Sequence, residues 1–289
     1  MGLRLSIDIG GTFTDLVLVD DRGEMKSFKT QTTPENHVDA VINVLQKAGK
    51  NLNLSIPELL QEAEAVNGGS LIHGSTITTN AMIEGKVAKT GLICTYGFRD
   101  FLGFGEGGKE NPFEWDIDFP KPYIPRYLSL PVRERINAEG GIETPLNEAD
   151  VISLLEKFKS WNVKAIAVSL LWSIANPIHE ERIAELIEEY CPGIPYTLGS
   201  RINPCIREYR RCSSTAIDAS LKPIINRYVD RFQNRLQEEG FSGEVQMLTS
   251  SGGVMRVDEL RNKPINSVDC GPALVPAAGL WYAGKEPCG

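Results

Sequence analysis

The sequence predicts a mixed α/β fold with a mixed sheet, together with a second α/β segment. Three aliphatic, β-branched runs separated by turn residues open the chain, which is typical of strands joined by short turns. Strand-like and helix-like patterns then alternate, as they do in βαβ units. Because 289 residues exceed the length of most single domains, we expect two compact units or one unit with a large insertion.

The first elements are three strands and two helices. We expect the strands at residues 3–9, 15–19 and 25–30. A helix is predicted with Thr33 as its N-cap and Pro34 as its first residue, because apolar residues then recur at helical spacing. Ser55 and Glu58 have the spacing of a capping box, which predicts a short second helix.

The middle of the chain alternates strands and helices around an irregular excursion. Residues 70–85 are predicted as a strand, a polar turn and the start of a helix, followed by a buried strand at 89–95. From Gly97 to about Gly141, glycine, proline and aromatic residues predict an ordered loop with short strands. The remaining predicted elements are a helix through Ser160 capped by Asn147, strands at 163–172 and 196–198, a helix at 177–190, a long helix at 213–239 interrupted by Pro223, and a strand with a glycine turn at 244–254.

Composition narrows the classes of ligand and partner. Hydrophobic residues at 42% and charged residues at 24% describe an ordinary globular chain. The net charge of −8 disfavours nucleic acid and anionic membrane surfaces, so we expect a small-molecule ligand. No secretory leader or membrane span is recognisable, which predicts a cytoplasmic location. The six cysteines include no Cys-x-x-Cys pair, and we expect them to be reduced thiols.

The turn after the first strand carries the strongest candidate site. The segment Asp8-Ile-Gly10-Gly11-Thr12-Phe-Thr14 joins two predicted strands. The amides of Gly10 and Gly11 can approach an anion because no Cβ atom blocks them, and Thr12 and Thr14 offer hydroxyl donors. A phosphate is the expected ligand, and Asp8 would face it through a hard cation such as Mg²⁺. The alternative is a plain hairpin turn whose hydroxyl groups cap the backbone.

A second polar turn lies between a predicted strand and a predicted helix. Its candidate residues for the substrate or γ-phosphate side are His73, Ser75, Thr76, Thr79 and Asn80. Backbone amides at the start of a helix attract anions, which supports a ligand at this turn. Threonine and asparagine are also favoured as helix caps without any ligand. Both interpretations stay open.

Other polar segments have weaker patterns. The segment 250–253, Ser-Ser-Gly-Gly, follows a strand and fits either a second backbone-amide site or a plain turn. His179 and Glu180 open a predicted helix, but the second histidine of a zinc motif is missing. A preference for acidic residues at a helix N-terminus is the expected explanation. No general base can be assigned, because none of the three histidines has a carboxylate partner recognisable in the sequence.

Several motifs together resemble one known family. The turn DIGGTFTD is similar to the first phosphate motif of the actin, sugar-kinase and heat-shock-ATPase superfamily. Its continuation through HGSTITTNAMIEG, TYGFRDFLGFG, LLWSIANPIHEERI and NPCIREYRR resembles the hydantoinase A, 5-oxoprolinase and acetone-acetophenone carboxylase family. The resemblance runs from Leu5 to about Ala278. It implies an actin-like (ribonuclease H-like) ATPase half, with a hydantoinase/oxoprolinase amino-terminal domain at 1–200 and the start of a hydantoinase A-type domain at 201–289.

The resemblance also implies a chemistry. Members of this family use ATP to phosphorylate a carbonyl oxygen, which leads to hydrolysis of a cyclic amide of the hydantoin or 5-oxoproline type, or to carboxylation of a ketone. The implied nucleotide site comprises Asp8, Gly10, Gly11, Thr12 and Thr14, with Asp8 as the Mg²⁺ ligand. Phosphoryl transfer depends on positioning and charge neutralisation, and these residue types supply both.

The chain departs from the family pattern near its carboxyl end. Related proteins bring a second Asp-Gly-Gly-Thr turn and an adenosine-binding segment, and neither occurs in this sequence. Leu274, Val275 and Pro276 stand where glycines are expected. We therefore expect a hetero-oligomer in which another chain supplies the second half of the nucleotide cleft. One hypothesis is a subunit or amino-terminal part of such an enzyme; the other is a catalytically incomplete member that serves as an interaction or regulatory subunit.

Overall fold

The computed structural model describes residues 2–33, 36–65, 70–107, 113–116 and 118–284. The chain divides into two compact units. Unit 1 comprises residues 1–86 and 224–289, and unit 2 comprises residues 87–223. The two domains expected from the family resemblance, 1–200 and 201–289, stay a prediction.

The elements are numbered in chain order. The strands are β1 (Leu3–Ile9), β2 (Phe13–Asp20), β3 (Met25–Gln31), β4 (Ser70–Ser75), β5 (Thr90–Thr95), β6 (Ser129–Val132), β7 (Arg135–Ile136), β8 (Ile142–Thr144), β9 (Ala165–Ser169), β10 (Tyr196–Leu198), β11 (Glu244–Leu248) and β12 (Val254–Arg256). The helices are α1 (His37–Leu52), α2 (Ile56–Glu64), α3 (Ile77–Ile83), α4 (Phe101–Phe104), α5 (Glu148–Ser160), α6 (Ile178–Tyr190), α7 (Gly199–Ile202), α8 (Glu208–Glu238), α9 (Val257–Asn262), α10 (Cys270–Ala273) and α11 (Val275–Tyr282).

Unit 1 is built on a mixed sheet with the strand order β12-β11-β4-β1-β2-β3. The central strand β1 is antiparallel to β2 and parallel to β4, and β4 is parallel to β11. The outer pairs β2–β3 and β11–β12 are antiparallel. The mixed α/β fold with a mixed sheet that the sequence predicts is therefore confirmed.

Buried side chains alternate with more exposed ones along β1, so the strand distinguishes the two faces of this sheet. Leu3, Leu5, Ile7 and Ile9 are buried, whereas Asp8 is exposed. The buried side chains belong to one core together with residues of α1, α2 and the carboxyl-terminal part of α8. Because successive side chains of a strand point to opposite faces, Asp8 lies on the face of the sheet opposite to this core.

Unit 2 contains a parallel sheet with the strand order β10-β9-β5-β6. Its strand β9 is buried at every position, as is typical of a parallel strand that is covered on both faces. Helices α5 and α6 and the amino-terminal part of α8 contribute to the core. At Gly91 a Cβ atom would lie 2.5 Å from the ring of Phe158. The close packing of α5 on β5 therefore requires a glycine there.

Capping residues explain two helix starts. Ser55 Oγ accepts a hydrogen bond from the amide of Glu58 (3.4 Å), and the Glu58 carboxylate accepts one from the amide of Ser55 (2.7 Å). These two bonds complete the capping box of α2. At the start of α5, Asn147 Oδ1 accepts a hydrogen bond from the amide of Asp150 (3.1 Å). Both predicted caps are confirmed.

The start of α1 differs from the prediction. The helix begins at His37 with Asn36 as its N-cap, and not directly after Thr33. Thr33 forms a turn instead: its hydroxyl donates to the carbonyl of Asn36 (2.9 Å), and its carbonyl accepts from the amide of Asn36 (3.1 Å). The predicted first helical residue, Pro34, lies outside the described residues.

The long helix α8 also differs from the prediction. It begins at Glu208 and continues through Pro223, where the sequence predicts an interruption. A proline removes one hydrogen bond from a helix. Leu221 and Ile225, on either side of this proline, are both buried, and such packing supplies most of the stability of a helix in a folded protein. Burial on both sides therefore explains why the helix continues.

The segment from Gly97 to Gly141 is largely irregular, in agreement with the prediction. Its described residues contain α4, the 3₁₀ helix Arg126–Leu128, β6 and β7. Several aromatic side chains of the segment are exposed, among them Phe104 and Phe119. The segment follows β5 and includes β6, an edge strand of the parallel sheet.

Two expectations from composition concern membranes and thiols. Within the described helices, none combines the length and the apolar character that crossing a membrane requires. The free thiols are Cys94, Cys191, Cys205, Cys212 and Cys270. They agree with the predicted reduced state, and the sixth cysteine, Cys288, lies outside the described residues.

Candidate functional site

The candidate phosphate turn joins β1 to β2 in unit 1. The two strands pair with Asp8 opposite Asp15 and Ile9 opposite Thr14, so residues 10–12 form the connection. The Gly10 amide donates to the carbonyl of Phe13 (2.9 Å). This amide therefore closes the turn, and it is not free for an anion as the sequence alone suggests.

Thr14 supports the turn from inside. Its side chain is fully buried, and its hydroxyl oxygen lies 3.0 Å from the hydroxyl oxygen of Thr32. The Thr32 hydroxyl donates its only hydrogen to the carbonyl of Gly10 (2.8 Å). The hydrogen between the two threonines must therefore come from Thr14. Thr14 thus stabilises the turn through Thr32, a residue that the sequence analysis did not identify.

Gly11 and Thr12 form the exposed part of the turn. The carbonyl of Thr12 accepts a hydrogen bond from the amide of Thr32 (2.9 Å), which fixes the turn against the end of β3. Within the described parts of the chain, neither the two amides nor the Thr12 hydroxyl has an internal hydrogen-bond partner. A Cβ atom at Gly11 would meet no atom within 4 Å. These donors are accessible to an anion.

Asp8 lies at the carboxyl end of β1, beside this turn. Its side chain is exposed overall, but its carboxylate lies over Gly74 of the neighbouring strand β4 and is partly withdrawn from water there. This desolvation, and next the negative charge of Asp15, raise the pKa of Asp8 above its usual value. A carboxylate that is both desolvated and close to another carboxylate favours a cation nearby.

The turn between β4 and α3 lies next to the end of β1. The amide and the hydroxyl of Thr76 both donate to the carbonyl of Ile9, each at 3.3 Å. Ser75 Oγ accepts from the amide of Ile77 (3.2 Å), and the Asn80 side-chain amide donates to the Thr76 hydroxyl (3.1 Å). These contacts bring the two polar turns together. They also engage the predicted ligand groups of Ser75 and Thr76 in local structure, although Thr76, the N-cap of α3, makes no side-chain capping bond.

Thr79 connects this region to the segment before α10. Its hydroxyl accepts a hydrogen bond from the amide of Asp269 (2.9 Å), a residue with a left-handed backbone (φ 55°). The thiol of Cys270 is buried and donates to the carbonyl of Ser75 (3.4 Å). The exposed side chain of Asp269 therefore belongs to the same region of unit 1, although no sequence motif indicated it.

His73 is placed away from this group. Its side chain is fully buried in the core on the other face of the sheet, where it stacks on Phe232 with ring centres 4.7 Å apart. Burial lowers the pKa of His73 to about 4, so the ring is neutral. Nδ1 donates to the carbonyl of Ile7 (3.1 Å), and Nε2 accepts from the hydroxyl of Tyr228. The structure thus does not bring His73 to the candidate site.

The segment 250–253 forms the turn between β11 and β12. The amides of Gly252 and Gly253 donate to the carbonyl (3.0 Å) and the hydroxyl (3.2 Å) of Thr249, and the amide of Ser250 donates to the carbonyl of Asn266 (2.7 Å). Gly252 has φ 81°, which a glycine adopts without strain. Three amides are engaged within the protein, which favours the plain-turn interpretation over a second phosphate site.

Unit 2 contains a histidine–carboxylate pair that the sequence did not reveal. His179 Nδ1 lies 2.8 Å from Glu134 Oε2, and both side chains are buried. The Thr95 hydroxyl donates to the other oxygen of the same carboxylate. His179 thus has a carboxylate partner in the folded chain, although none is recognisable in the sequence. The partners are 45 residues apart in the sequence, so local spacing could not indicate them.

Glu180 also differs from the prediction. It is fully buried and accepts hydrogen bonds from the amides of Leu170 (3.0 Å) and Ser200 (2.9 Å). Burial raises the pKa of this carboxyl group. Glu180 therefore connects the ends of β9 and β10, and the predicted preference for an acid at an exposed helix start does not explain it.

Comparison with known proteins identifies the family. Residues 4–191 match the family described as Hydantoinase/oxoprolinase N-terminal region, and residues 211–285 match the family described as Hydantoinase/oxoprolinase. The chain is 34% identical over 282 residues to the caprolactamase subunit alpha of Pseudomonas jessenii, which covers 97% of this chain and 40% of that protein. It is 31% identical over 294 residues to the acetophenone carboxylase gamma subunit of Aromatoleum aromaticum, with 97% of this chain and 39% of that protein covered.

Solved structures agree with this relationship. The crystal structure of the ATP-dependent caprolactamase from Pseudomonas jessenii superposes with a TM-score of 0.87 at 34% identity, over 97% of this chain and 40% of that chain. A nucleotide-free acetone carboxylase structure shares the fold with a TM-score of 0.81 at 24% identity, over 98% of this chain and 41% of that chain. The chain thus spans about two fifths of the length of these relatives. The resemblance seen in the motifs is confirmed, and the chain belongs to the hydantoinase/oxoprolinase family.

Proposed function

We propose that this chain is a subunit or amino-terminal part of an ATP-dependent enzyme that phosphorylates a carbonyl oxygen of its substrate. The observation that carries the proposal is the group at the carboxyl end of β1. The exposed residues Gly11 and Thr12 present accessible donors there, beside the partly desolvated carboxylate of Asp8. Membership of the family, and the ATP dependence stated for the caprolactamase relative, support ATP as the nucleotide.

In this proposal, four of the five predicted residues, Gly10, Gly11, Thr12 and Thr14, contribute in two ways. The amides of Gly11 and Thr12 and the Thr12 hydroxyl bind phosphate oxygens, because such donors suit a phosphate group. Gly10 and Thr14 shape the turn through their hydrogen bonds to Phe13 and Thr32. Positioned donors of this kind favour phosphoryl transfer because they neutralise charge without reorganising.

We propose Mg²⁺ as the metal, with Asp8 as its protein ligand. Magnesium prefers oxygen ligands and keeps several water molecules, so one or two carboxylates together with phosphate groups usually suffice. The described residues contain no cluster of three or more acidic, histidine or cysteine side chains suited to a metal, and a site with a single carboxylate needs none. When bound, the cation would neutralise charge on the phosphate groups. Asp8 would hold it at the end of β1.

The substrate is proposed from the relatives. Their names refer to caprolactam and acetophenone, which are a cyclic amide and a ketone. Both compounds have a carbonyl oxygen that phosphorylation would activate. In unit 1, Thr76, Thr79 and Asn80 are half-buried beside the end of β1, and we propose that they lie on the substrate or γ-phosphate side.

The proposed enzyme is a hetero-oligomer. Two of the relatives are named as alpha and gamma subunits, which supports an assembly of several chains. We propose that another polypeptide supplies the second half of the nucleotide cleft. Free thiols at the described cysteines are consistent with a reducing compartment, and we propose a cytoplasmic location.

A catalytically incomplete family member is the second candidate function. The observation in its favour is the helix α11, which starts within the unusual segment Leu-Val-Pro and buries none of its side chains. Val275, Trp281 and Tyr282 are 66%, 65% and 79% exposed. An exposed apolar surface of this kind is typical of a protein–protein contact. In this case the chain would serve as an interaction or regulatory subunit.

Titration of Mg·ATP distinguishes the two functions. The chain is titrated alone and in a mixture with a polypeptide that carries the second Asp-Gly-Gly-Thr turn, and binding is measured by calorimetry. The enzymatic proposal predicts saturable binding of Mg·ATP, which Asp8→Asn weakens at least tenfold. In the absence of Mg²⁺, the same substitution should change the binding of ATP little. If neither preparation binds nucleotide, the enzymatic proposal is wrong and the second candidate is favoured.

A further inference from the structure

Gly74 lies directly beside Asp8 in the sheet of unit 1. The two residues are opposite each other in the parallel pairing of β1 and β4, and both belong to the face opposite the core. Gly74 is buried, and its φ is not in the left-handed region. Its backbone conformation therefore does not require a glycine. A glycine in the interior of a strand often marks a place where another group approaches closely.

The approaching groups are two side chains from the flanking strands. A Cβ atom at position 74 would lie 2.7 Å from Asp8 Oδ1 and 2.9 Å from Leu248 Cδ1. Both distances are shorter than any normal contact of a Cβ atom. The carboxylate from β1 and the methyl group from β11 thus occupy the space that a side chain at position 74 would take. Both groups end flexible side chains, so they would move aside while the strands remain paired.

The negative charge of Asp15, on the other side of β1, disfavours positions of the Asp8 carboxylate near β2. Asp15 lies directly opposite Asp8 in the antiparallel pairing of β1 and β2. Two like charges opposite each other across strands repel. Asp15 is paired with Lys29 at 3.3 Å, but this ion pair is exposed and only weakly compensates its charge. The Asp8 carboxylate therefore lies over Gly74, on the side of β1 away from β2 and close to the turn.

We propose that Gly74 is a positioning residue: the absence of its side chain holds the Asp8 carboxylate over β4, where the proposed cation binds. This inference rests on the proposed function for its role in metal binding, whereas the contact between the two residues stands independently. A methyl group at position 74 displaces the carboxylate from this place and leaves the hydrogen bonds of the turn intact. Gly74 does not itself touch the nucleotide in this account.

The test uses Gly74→Ala, Asp8→Ala and the double variant in the full chain, with Ile72→Ala as the control. Ile72 lies on the same face of β4 but pairs with Ser6 and Gln246 rather than with Asp8, so it controls for a change of side-chain size on this face. Urea unfolding of each variant gives a double-mutant cycle. The Asp8 carboxyl carbon is titrated by NMR in the wild type, in Gly74→Ala and in Ile72→Ala. Mg·ATP binding is measured with the chain alone or with its mixture with the completing polypeptide, whichever binds the nucleotide in the wild type.

The proposal predicts that Gly74→Ala lowers the urea midpoint in the wild-type background and by less than half as much in the Asp8→Ala background. It also predicts that the pKa of Asp8 moves back toward its usual value in Gly74→Ala only, because the displaced carboxylate regains water. Mg·ATP binding should fall at least tenfold in Gly74→Ala and stay unchanged in Ile72→Ala.

Two results would overturn the positioning role: additive effects in the cycle together with an unchanged Asp8 titration, or wild-type Mg·ATP affinity in Gly74→Ala. A wild-type chain that binds no nucleotide in any preparation contradicts the proposed function instead. In that case the cycle and the titration still decide whether Gly74 places the carboxylate.

Discussion

The hydrogen-bond chain Thr14–Thr32–Gly10 predicts unequal costs for two similar substitutions. Thr14→Val and Thr32→Val each replace a buried hydroxyl by a methyl group of similar volume. In Thr14→Val, the Thr32 hydroxyl still donates to the carbonyl of Gly10 and loses only one accepted bond. In Thr32→Val, the Gly10 carbonyl loses its donor and the buried Thr14 hydroxyl loses its acceptor.

The expected losses of stability follow from the hydrogen bonds that each substitution removes. One hydrogen bond contributes about 1 kcal/mol to stability, and a buried donor left without a partner costs about 1–3 kcal/mol. Thr14→Val should therefore lower the free energy of unfolding by about 1 kcal/mol and Thr32→Val by about 2–3 kcal/mol. Because the hydrogen bond to the Gly10 carbonyl is lost only in Thr32→Val, that variant should also weaken binding of phosphate groups at Gly11 and Thr12 more than Thr14→Val does.

The assay is equilibrium unfolding in urea, followed through NMR signals of unit 1 so that unit 2 does not contribute. Thr30→Val, on the adjacent strand β3 and opposite Thr14 in the β2–β3 pairing, is the control for the loss of a threonine hydroxyl near the turn. A larger loss in Thr14→Val than in Thr32→Val would refute the donor directions derived for this turn.

Four further predictions concern charge and packing. Asp8→Asn should raise the free energy of unfolding slightly at pH 7. The pKa of Asp8 is higher in the folded chain, so ionisation of this carboxyl group destabilises the fold as pH rises. In urea unfolding at several pH values, the stability gained by Asp8→Asn should vanish below the usual pKa of 3.8. The pKa of His73 is about 4 when folded and 6.5 ordinarily, so the folded chain binds fewer protons within that window. Stability should fall by up to about 3 kcal/mol as pH decreases through it, and His73→Gln should flatten this slope in urea unfolding at several pH values. Glu134→Ala removes the acceptor of the buried His179 ring and of the Thr95 hydroxyl hydrogen. It should cost about 3 kcal/mol in urea unfolding of unit 2, more than Glu134→Gln. Gly91→Ala should cost about 1–3 kcal/mol through its clash with Phe158, and Phe158→Leu in the same chain should recover part of the loss in thermal unfolding.

Local pattern was sufficient to predict most elements of the fold. Alternation along β1 and the capping box of α2 are properties of neighbouring residues, and both predictions are confirmed. The continuation of α8 through Pro223 was not predictable in this way. It depends on burial of side chains on both sides of the proline, which only the packed structure shows.

The candidate site was predictable to a similar extent. The accessible donors at Gly11 and Thr12 and the placement of Asp8 follow from a short segment of sequence. The support from Thr32, the space over Gly74 and the contact of Thr79 with Asp269 join residues that are distant along the chain. His73 was assigned to the polar turn because Ser75 and Thr76 follow it closely in the sequence, whereas the register of β4 directs its ring into the core.

The central claim is that the turn after β1 binds the phosphate groups of ATP together with a divalent cation. An NMR titration of the chain with Mg·ATP, alone and with a completing polypeptide, tests it most directly. The account predicts saturable shifts of the Gly11 and Thr12 amides that Mg²⁺ strengthens and that need at least tenfold more Mg·ATP in Asp8→Asn, with no comparable shift at Gly252 and Gly253. Saturable binding that leaves the Gly11 and Thr12 amides unshifted, or no binding at millimolar nucleotide, would contradict it.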